Sequence, residues 1–132
     1  MIVLDASAAI EMLRRSDVGW NLLRRLEDPA ETLHAPHLLS VEVAQVLRRL
    51  AASGSLSARR AREAVDDLVA LDMARYDHEP FLARMWELRD NLTAYDASYV
   101  ALAEALDATL VTLDERLANA PGHRAQVELL RI

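Results

Sequence analysis

Two carboxylates frame residues 91–116, a segment that reads as a loop, a helix, a strand and a second loop. Thr93 can cap a helix through its hydroxyl group, and Asp96 stands three residues later, at the spacing of a capping box. Residues 108–112 form an apolar, β-branched run of strand length, and Asp114 follows just beyond it. A helix that precedes a parallel strand begins at the carboxyl edge of the sheet. We therefore expect Asp96 and Asp114 at that same edge.

Two further acids occupy equivalent places earlier in the chain. Asp5 follows a short buried strand predicted over residues 2–4. Glu42 falls in the first turn of a helix predicted over 41–52, which follows a strand predicted over 32–35. The same strand-then-helix order places both acids at the carboxyl edge, where open α/β sheets bind their ligands.

Four carboxylates gathered in one cleft repel each other, and their pKa values rise unless a cation neutralises them. A set of oxygen ligands without cysteine favours Mg²⁺ or Mn²⁺ over Zn²⁺. Such a site suits metal-assisted hydrolysis of a phosphodiester. Spacing alone leaves an alternative open, because Asp is a favoured helix cap and every α/β protein has caps at this edge. Capping is also an alternative for Ser7, and we interpret Asp77 and Glu79 as capping or turn residues.

The rest of the chain alternates strands with helices, the pattern of an α/β layered fold with a mostly parallel sheet. Right-handed crossovers would place helices on both faces. Ser40 and Ser57 read as N-caps. The other predicted elements are helices over 6–15, 17–27 and 57–71, a helix ending near 89, and strands over 73–76 and 127–130. We expect residues 1–132 to form a single domain.

Composition excludes several classes of protein. All 15 basic residues are arginine, so a Walker-type phosphate loop, a Schiff-base enzyme and a receiver-type phosphotransfer switch lack their lysine. A haloacid-dehalogenase-like phosphatase lacks it as well. The chain has no cysteine, no signal peptide and no apolar run of membrane-spanning length, which predicts a cytoplasmic protein with no membrane partner. Its net charge of −6 requires local arginines or a bound cation if it is to attract nucleic acid.

Three stretches together carry a specific pattern. They are Ile-Val-Leu-Asp-Ala-Ser-Ala over 2–8, Ala-Pro-His-Leu-Leu over 35–39 with Val-Glu-Val over 41–43, and Leu-Thr-Ala-Tyr-Asp-Ala-Ser-Tyr-Val-Ala-Leu-Ala over 92–103 with Leu-Val-Thr-Leu-Asp over 110–114. With these stretches the sequence resembles the PIN-domain ribonucleases, specifically the VapC-type toxins of prokaryotic toxin–antitoxin pairs. The Tyr-Asp-Ala-Ser-Tyr-Val-Ala-Leu-Ala block with a downstream Thr-x-Asp is its most specific part.

The resemblance implies a PIN-like three-layer α/β/α sandwich with a mostly parallel five-stranded sheet in the order 3-2-1-4-5. It implies a Mg²⁺-dependent endoribonuclease, with Mn²⁺ as a substitute, that leaves a 5′-phosphate and a 3′-hydroxyl. Asp5 and Asp96 would be the nearest metal ligands, and Glu42 and Asp114 would act directly or through water. Ser7 and Thr112 would orient the cluster or a water molecule. The full set of family site residues is then Asp5, Ser7, Glu42, Asp96, Thr112 and Asp114.

The resemblance also implies partners. VapC toxins bind a VapB-type antitoxin whose C-terminal segment wraps the toxin, and homodimers are common among them. An acidic cleft suits a cationic peptide. For RNA, the candidate phosphate contacts are arginines on predicted helices, although a solvated helix face explains each of them equally well: Arg14, Arg15, Arg48, Arg49, Arg59, Arg60 and Arg62.

Two positions depart from the family pattern. Ser40 stands where many relatives have Asp, and Gln45 stands where many have Asn. Both are expected near the site, where they could alter substrate contacts or metal affinity. The competing interpretation is a PIN-fold module that binds RNA or protein without cutting. Loss of an acid would favour that module, and because none of the four is missing we expect an active enzyme.

Overall fold

The computed structural model of the protein describes all residues, 1–132, and is built around one five-stranded sheet. Every pairing in the sheet is parallel, and the strand order is β3-β2-β1-β4-β5, as predicted. The central strand is buried along its whole length, as expected of a parallel strand covered on both faces. The strands are β1 (Ile2–Leu4), β2 (Leu33–Pro36), β3 (Ala74–Tyr76), β4 (Thr109–Thr112) and β5 (Gln126–Leu129).

Helices connect the strands and flank the sheet, which confirms the predicted α/β/α architecture. A 3₁₀ turn over Glu79–Phe81 precedes the fifth helix. No helix is long and apolar enough to cross a membrane. The helices are α1 (Ala6–Arg14), α2 (Asp17–Arg25), α3 (Leu38–Ala52), α4 (Ala58–Ala70), α5 (Leu82–Glu87), α6 (Ala94–Leu106) and α7 (Glu115–Asn119).

Helix α6 is the most deeply buried of the helices. Seven consecutive residues, from Ala97 to Ala103, are buried, so this helix has almost no solvent-facing side after its first turn. It contacts β1, β2 and β4 as well as α5. Thr93 caps its first turn, as predicted, by accepting the backbone N–H of Asp96 at 3.1 Å. The beginning of α6 is therefore held at the carboxyl edge of the sheet.

Two of the predicted elements are corrected, and one helix is added. Helix α3 begins at Leu38, with His37 at the N-cap and no side-chain cap, so Ser40 is not an N-cap and Glu42 lies in the second turn rather than the first. The helix expected to end near residue 89 is shorter and ends at Glu87, after the 3₁₀ turn. Helix α7 was not predicted.

Candidate metal site and active site

The four predicted acids come from four segments that meet at the carboxyl edge of the sheet. Asp5 follows β1 directly, and Asp114 lies two residues beyond β4, the strand paired with β1. Glu42 lies near the start of α3, and Asp96 lies in the first turn of α6. The strand order reverses at β1, so the acids lie at the switch point where α/β sheets of this kind form a crevice.

Asp5 is the most firmly held of the four side chains, and only 6% of it is exposed. Its Oδ1 accepts the Ser7 hydroxyl at 2.6 Å and the Ala8 backbone N–H at 3.0 Å, which also makes it the N-cap of α1. The Thr112 hydroxyl donates to Oδ2. Three donors leave roughly one of the four lone-pair positions of the carboxylate for another ligand.

Ser7 and Thr112 bind more than the carboxylate between them. Ser7 Oγ accepts the backbone N–H of Leu113 at 2.9 Å, and Thr112 Oγ1 accepts that of Asp114 at 2.9 Å. The same two hydroxyls therefore fix Asp5 and the segment that leads from β4 to Asp114. Ser7 does not cap α1, since it donates to the Asp5 carboxylate instead. Its role in orienting a water stays a prediction.

Glu42 is held by a phenol from the buried helix. The hydroxyl of Tyr99, a residue only 2% exposed, donates to Glu42 Oε1 at 2.5 Å. Burial, the hydrogen bond and the nearby carboxylates together raise the pKa of Tyr99, so the phenol stays a donor. The contact joins α6 to α3 and leaves the second oxygen of Glu42 free of protein donors.

Asp114 and Asp96 lie at the starts of α7 and α6, close enough for the charge of Asp114 to raise the pKa of Asp96. Asp114 caps α7 by accepting the backbone N–H of Arg116 at 2.9 Å and of Leu117 at 3.4 Å. The guanidinium of Arg116 returns toward the same carboxylate, with Nε 3.7 Å from Asp114 Oδ1. Arg116 is also close enough to Asp96 to favour its charged form. It is thus a cation at the rim of an otherwise acidic cleft.

Electrostatic coupling shows that the acids form one group. Burial is the main cause that raises the pKa of Asp5, and the charge of Asp114 adds to it against the opposing hydrogen bonds. Burial likewise raises the pKa of Glu42, with the charges of Asp96 and Asp5 adding to it against the Tyr99 hydrogen bond. Burial and Asp114 raise the pKa of Asp96. Each acid therefore repels at least one other.

These residues fit a hard divalent cation by the chemistry of their donor set. The set contains only carboxylate and hydroxyl oxygens, and its mutual repulsion is what a cation would relieve. No three His, Asp or Glu side chains stand in a ready-made metal-binding arrangement. The hydrogen bonds explain this, because Asp5, Glu42 and Asp114 are each turned toward protein donors. That these acids ligate a metal stays a prediction.

Most of the predicted arginine contacts lie away from the acids. Arg14 and Arg15 end α1 at the opposite end from Asp5. Arg60 donates to the Leu13 carbonyl, which places the start of α4 beside that same distant end. Arg59 and Arg62 pair with Glu63 and Asp66 on their own exposed helix face. Arg14, Arg15, Arg59 and Arg62 therefore fit the solvated-face interpretation, and Arg60 instead links α4 to α1. Of the seven, Arg48 and Arg49 lie on α3, the helix of Glu42.

The two residues that depart from the family pattern, Gln45 and Ser40, line different depressions of the surface. Gln45 lines a groove together with Glu42. Ser40 instead lines a depression between α3 and α4 with Val65 and Val69, and its influence on the site stays a prediction. Asp77 lies 3.4 Å from the ring of His37 and is not coupled to the four acids.

Sequence reasoning assigned no role to Tyr99 or Arg116. Tyr99 stands three residues after Asp96, and its buried position resembles an ordinary core residue until α3 is placed beside it. Arg116 follows Asp114 by two residues, and that spacing was the only signal in the sequence that could have identified it.

Comparison with known proteins places the chain among close relatives. The model of the PIN domain family matches residues 2–123. The chain is 45% identical over 130 residues to Ribonuclease VapC1 of Mycobacterium tuberculosis, covering 98% of this chain and 97% of that protein. It is 47% identical over 119 residues to Ribonuclease VapC9 of the same organism, covering 90% of each.

Solved structures agree in fold. A VapBC2 complex of Rickettsia felis bound to a DNA fragment from its promoter contains a chain that superposes with a TM-score of 0.73 at 18% identity, covering 99% of this chain and all of that one. VapC20 of Mycobacterium tuberculosis, a toxin that cleaves the sarcin–ricin loop, gives a TM-score of 0.66 at 13% identity, covering 89% and 93%.

Proposed function

The chain belongs to the PIN domain family, and from that membership we propose that it is a divalent-metal-dependent endoribonuclease, the toxin of a type II toxin–antitoxin pair. The observation that carries the proposal is the convergence of Asp5, Glu42, Asp96 and Asp114 at the switch point, each raising the pKa of at least one neighbour or having its own raised. Relatives named as ribonucleases support the reaction class. Residues 1–132 act as one domain in this proposal.

The four acids would hold the cation, with Asp5 and Asp96 nearest to it. When bound, Mg²⁺, or Mn²⁺ in its place, activates a water and stabilises negative charge on the phosphate oxygens. Ser7 and Thr112 keep Asp5 charged and oriented by donating to both of its oxygens. Tyr99 does the same for Glu42. Arg116 supplies a fixed positive charge at the rim, where a phosphate of the RNA would enter.

The proposed regulator is a VapB-type antitoxin. The solved relative from Rickettsia felis is a VapBC complex, which supports a partner of this kind for the present chain. A basic segment of that partner would be attracted to the carboxylates and would exclude RNA from them. We also propose a cytoplasmic location, because cellular RNA is found there. A homodimer is the proposed assembly.

Incubation with total bacterial RNA tests the reaction. We expect discrete fragments with Mg²⁺ and none with EDTA, and Asp96→Asn should cut at least 100-fold more slowly because one ligand charge is lost. Asp66→Asn, an exposed change on α4, should cut normally. Loss of cleavage must occur without loss of the folded state, which circular dichroism monitors. A wild-type protein that binds RNA with Mg²⁺ but never cuts it would support the non-cleaving module instead.

A further inference from the structure

A groove of about 350 Å³ opens beside the acidic cleft, between α3 and the start of α6. Val41, Glu42, Gln45 and Arg49 line it from one face of α3, since they recur every three or four residues, and Tyr95 lines it from α6. We refer to it as the α3–Tyr95 groove. It is continuous with the site, because Glu42 belongs to both and Tyr95 immediately precedes Asp96.

The side chains of this groove are unusually exposed for their type. Val41 is 68% exposed and Tyr95 is 63% exposed, so neither contributes to the core. The Tyr95 hydroxyl makes no hydrogen bond within the protein, in contrast to the buried Tyr99. An aromatic ring that serves neither packing nor internal hydrogen bonding is available as a flat platform beside the site.

Arg49 is the basic group of the groove. It makes no ion pair and no side-chain hydrogen bond, although acidic residues outnumber basic ones by 21 to 15. It lies seven residues after Glu42 on the same face of α3, about 10 Å along the helix axis. A free guanidinium at that distance from the carboxylates suits an anion that is part of a larger ligand.

We propose that the α3–Tyr95 groove holds the base of the RNA nucleotide next to the cleaved bond, stacked on Tyr95, while Arg49 binds the adjoining phosphate. Bases of single-stranded RNA stack on exposed aromatic side chains in this way, and guanidinium groups bind the phosphates between them. Gln45, whose Oε1 accepts Arg48 Nε at 3.1 Å, keeps its amide N–H groups for the edge of the base. The inference rests on the proposed nuclease function.

The charges in the groove favour RNA over a segment of a protein partner. A basic antitoxin segment that entered here would be attracted by Glu42 but repelled by Arg49. An RNA strand presents a phosphate to Arg49 and a base to the apolar middle of the groove. We therefore assign the groove to the RNA substrate, and the experiments below also distinguish binding of the antitoxin there.

The first experiment measures cleavage of a random-sequence single-stranded RNA pool with Mg²⁺, followed by sequencing of the fragment ends. Tyr95→Ala should lower kcat/KM roughly 5- to 100-fold, the range set by loss of one base–aromatic stack, and should blur the base preference beside the cut. Tyr95→Phe keeps the ring and should retain both rate and preference. Equal rates and equal preferences for Tyr95→Ala and the wild type would overturn the inference.

The salt dependence of RNA binding tests the phosphate contact of Arg49. Arg49→Ala should reduce the slope of the logarithm of RNA affinity against the logarithm of salt concentration by about 0.7, the value for one phosphate of a single strand. Arg62→Ala removes the same charge from the exposed face of α4, where Arg62 pairs with Asp66, and should leave the slope unchanged. Equal slopes for Arg49→Ala and the wild type would contradict the phosphate contact.

A crosslinking experiment separates this inference from the nuclease proposal. The wild-type protein is irradiated with a random RNA pool containing 5-iodouridine, and the crosslinked peptides are identified by mass spectrometry. We expect the crosslink at Tyr95. Normal cleavage with crosslinks only at Trp20 or Trp86 would refute the groove alone. Neither fragments nor crosslinks would refute the nuclease and the groove together. Unchanged cleavage by Tyr95→Ala with weaker inhibition by the antitoxin would reassign the groove to that partner.

Discussion

The hydrogen bond from the Tyr99 hydroxyl to Glu42 can be removed while the aromatic ring stays in the core. Tyr99→Phe deletes the donor, and we expect a loss of about 1.5 kcal/mol in the free energy of unfolding. Because the bond lowers the pKa of Glu42, its loss should raise that pKa further. The acid limb of the activity profile should then move to higher pH.

Measured pH profiles of kcat/KM for the wild type and Tyr99→Phe check this expectation. Tyr76→Phe serves as the matched control, since it loses a hydrogen bond to His34 of 2.7 Å but touches no carboxylate. A profile for Tyr99→Phe that keeps its acid limb in place would show that Tyr99 only fills space.

Arg116 should affect catalysis and leave stability nearly unchanged. Its side chain is 94% exposed, and exposed ion pairs contribute at most about 1 kcal/mol. At the rim of the cleft the same charge would act on a phosphate, so Arg116→Ala should lower kcat/KM roughly tenfold. Arg62→Ala is the control, because Arg62 pairs with Asp66 on a distant exposed face. An equal loss of kcat/KM in the two variants would show that Arg116 has no role in catalysis.

The position of the acids at the carboxyl edge could be predicted from the sequence because Asp5 and Asp114 follow strands and Asp96 lies in the first turn of a helix, whereas Glu42 lies one turn further into α3 than predicted. Tyr99 could not, because its partner lies 57 residues away and burial alone gives the same signal for a core phenol as for one that holds a carboxylate. Arg49 is one of seven arginines predicted as possible phosphate contacts, and only the fold separates its position from those at the other end of the helices.

Among the elements, the strands and most of the long helices could be predicted from apolar runs and capping residues. The starts of α3 and α7 could not. Ser40 offered a strong capping signal, yet α3 begins three residues earlier than predicted, after His37, whose backbone N–H bonds the Tyr76 carbonyl of β3 at 2.9 Å. Sheet pairing therefore sets that boundary. Helix α7 has five residues, too few for a periodic pattern, and is held by the Asp114 cap.

The pair that joins α5 to α6 sets the stability of that face. Arg84 binds Glu104 through both of its oxygens, at 2.8 and 3.0 Å, and only 3% of the Glu104 side chain is exposed. Arg84→Ala removes both of these hydrogen bonds from a buried carboxylate and leaves it only Arg124, whose backbone N–H donates to Glu104 at 2.9 Å, so the change should cost about 3 kcal/mol at pH 7. The hydrogen bond from Arg84 is the main cause that lowers the pKa of Glu104.

The lowered pKa of Glu104 determines how the loss of stability in Arg84→Ala depends on pH. A carboxyl whose pKa is lowered in the folded state stabilises the fold above its ordinary value of 4.5, and the contribution disappears as the pH falls through the lowered pKa. Urea denaturation should therefore show a large difference between the wild type and Arg84→Ala at pH 7, and the difference should shrink as the pH falls through the lowered pKa of Glu104. Arg89→Ala, an exposed change, should show little difference at either pH.

For the whole molecule, the acidic site is a cost to folding in the absence of a cation. The pKa values of Asp5, Glu42 and Asp96 are all raised in the folded protein. Groups of this kind bind protons more tightly when folded. Their contribution to stability therefore falls as the pH rises from the ordinary values of 3.8 and 4.5 through the raised ones. The metal-free protein therefore carries the full penalty once the pH exceeds the raised pKa values.

Removing one charge or adding a cation should relieve that penalty, and thermal unfolding measures both. In EDTA, Asp96→Asn should be more stable than the wild type by about 0.5–1 kcal/mol, a rise of roughly 2–5 °C in Tm. Mg²⁺ at 100 times its Kd should stabilise the wild type by about 2.7 kcal/mol and the variant much less. Asp66→Asn, on an exposed helix face, should match the wild type in both buffers. If Mg²⁺ raised the Tm of the wild type and of Asp96→Asn equally, the ion would be binding outside the four carboxylates. The repulsion among them would then be a property of the fold rather than of a metal site.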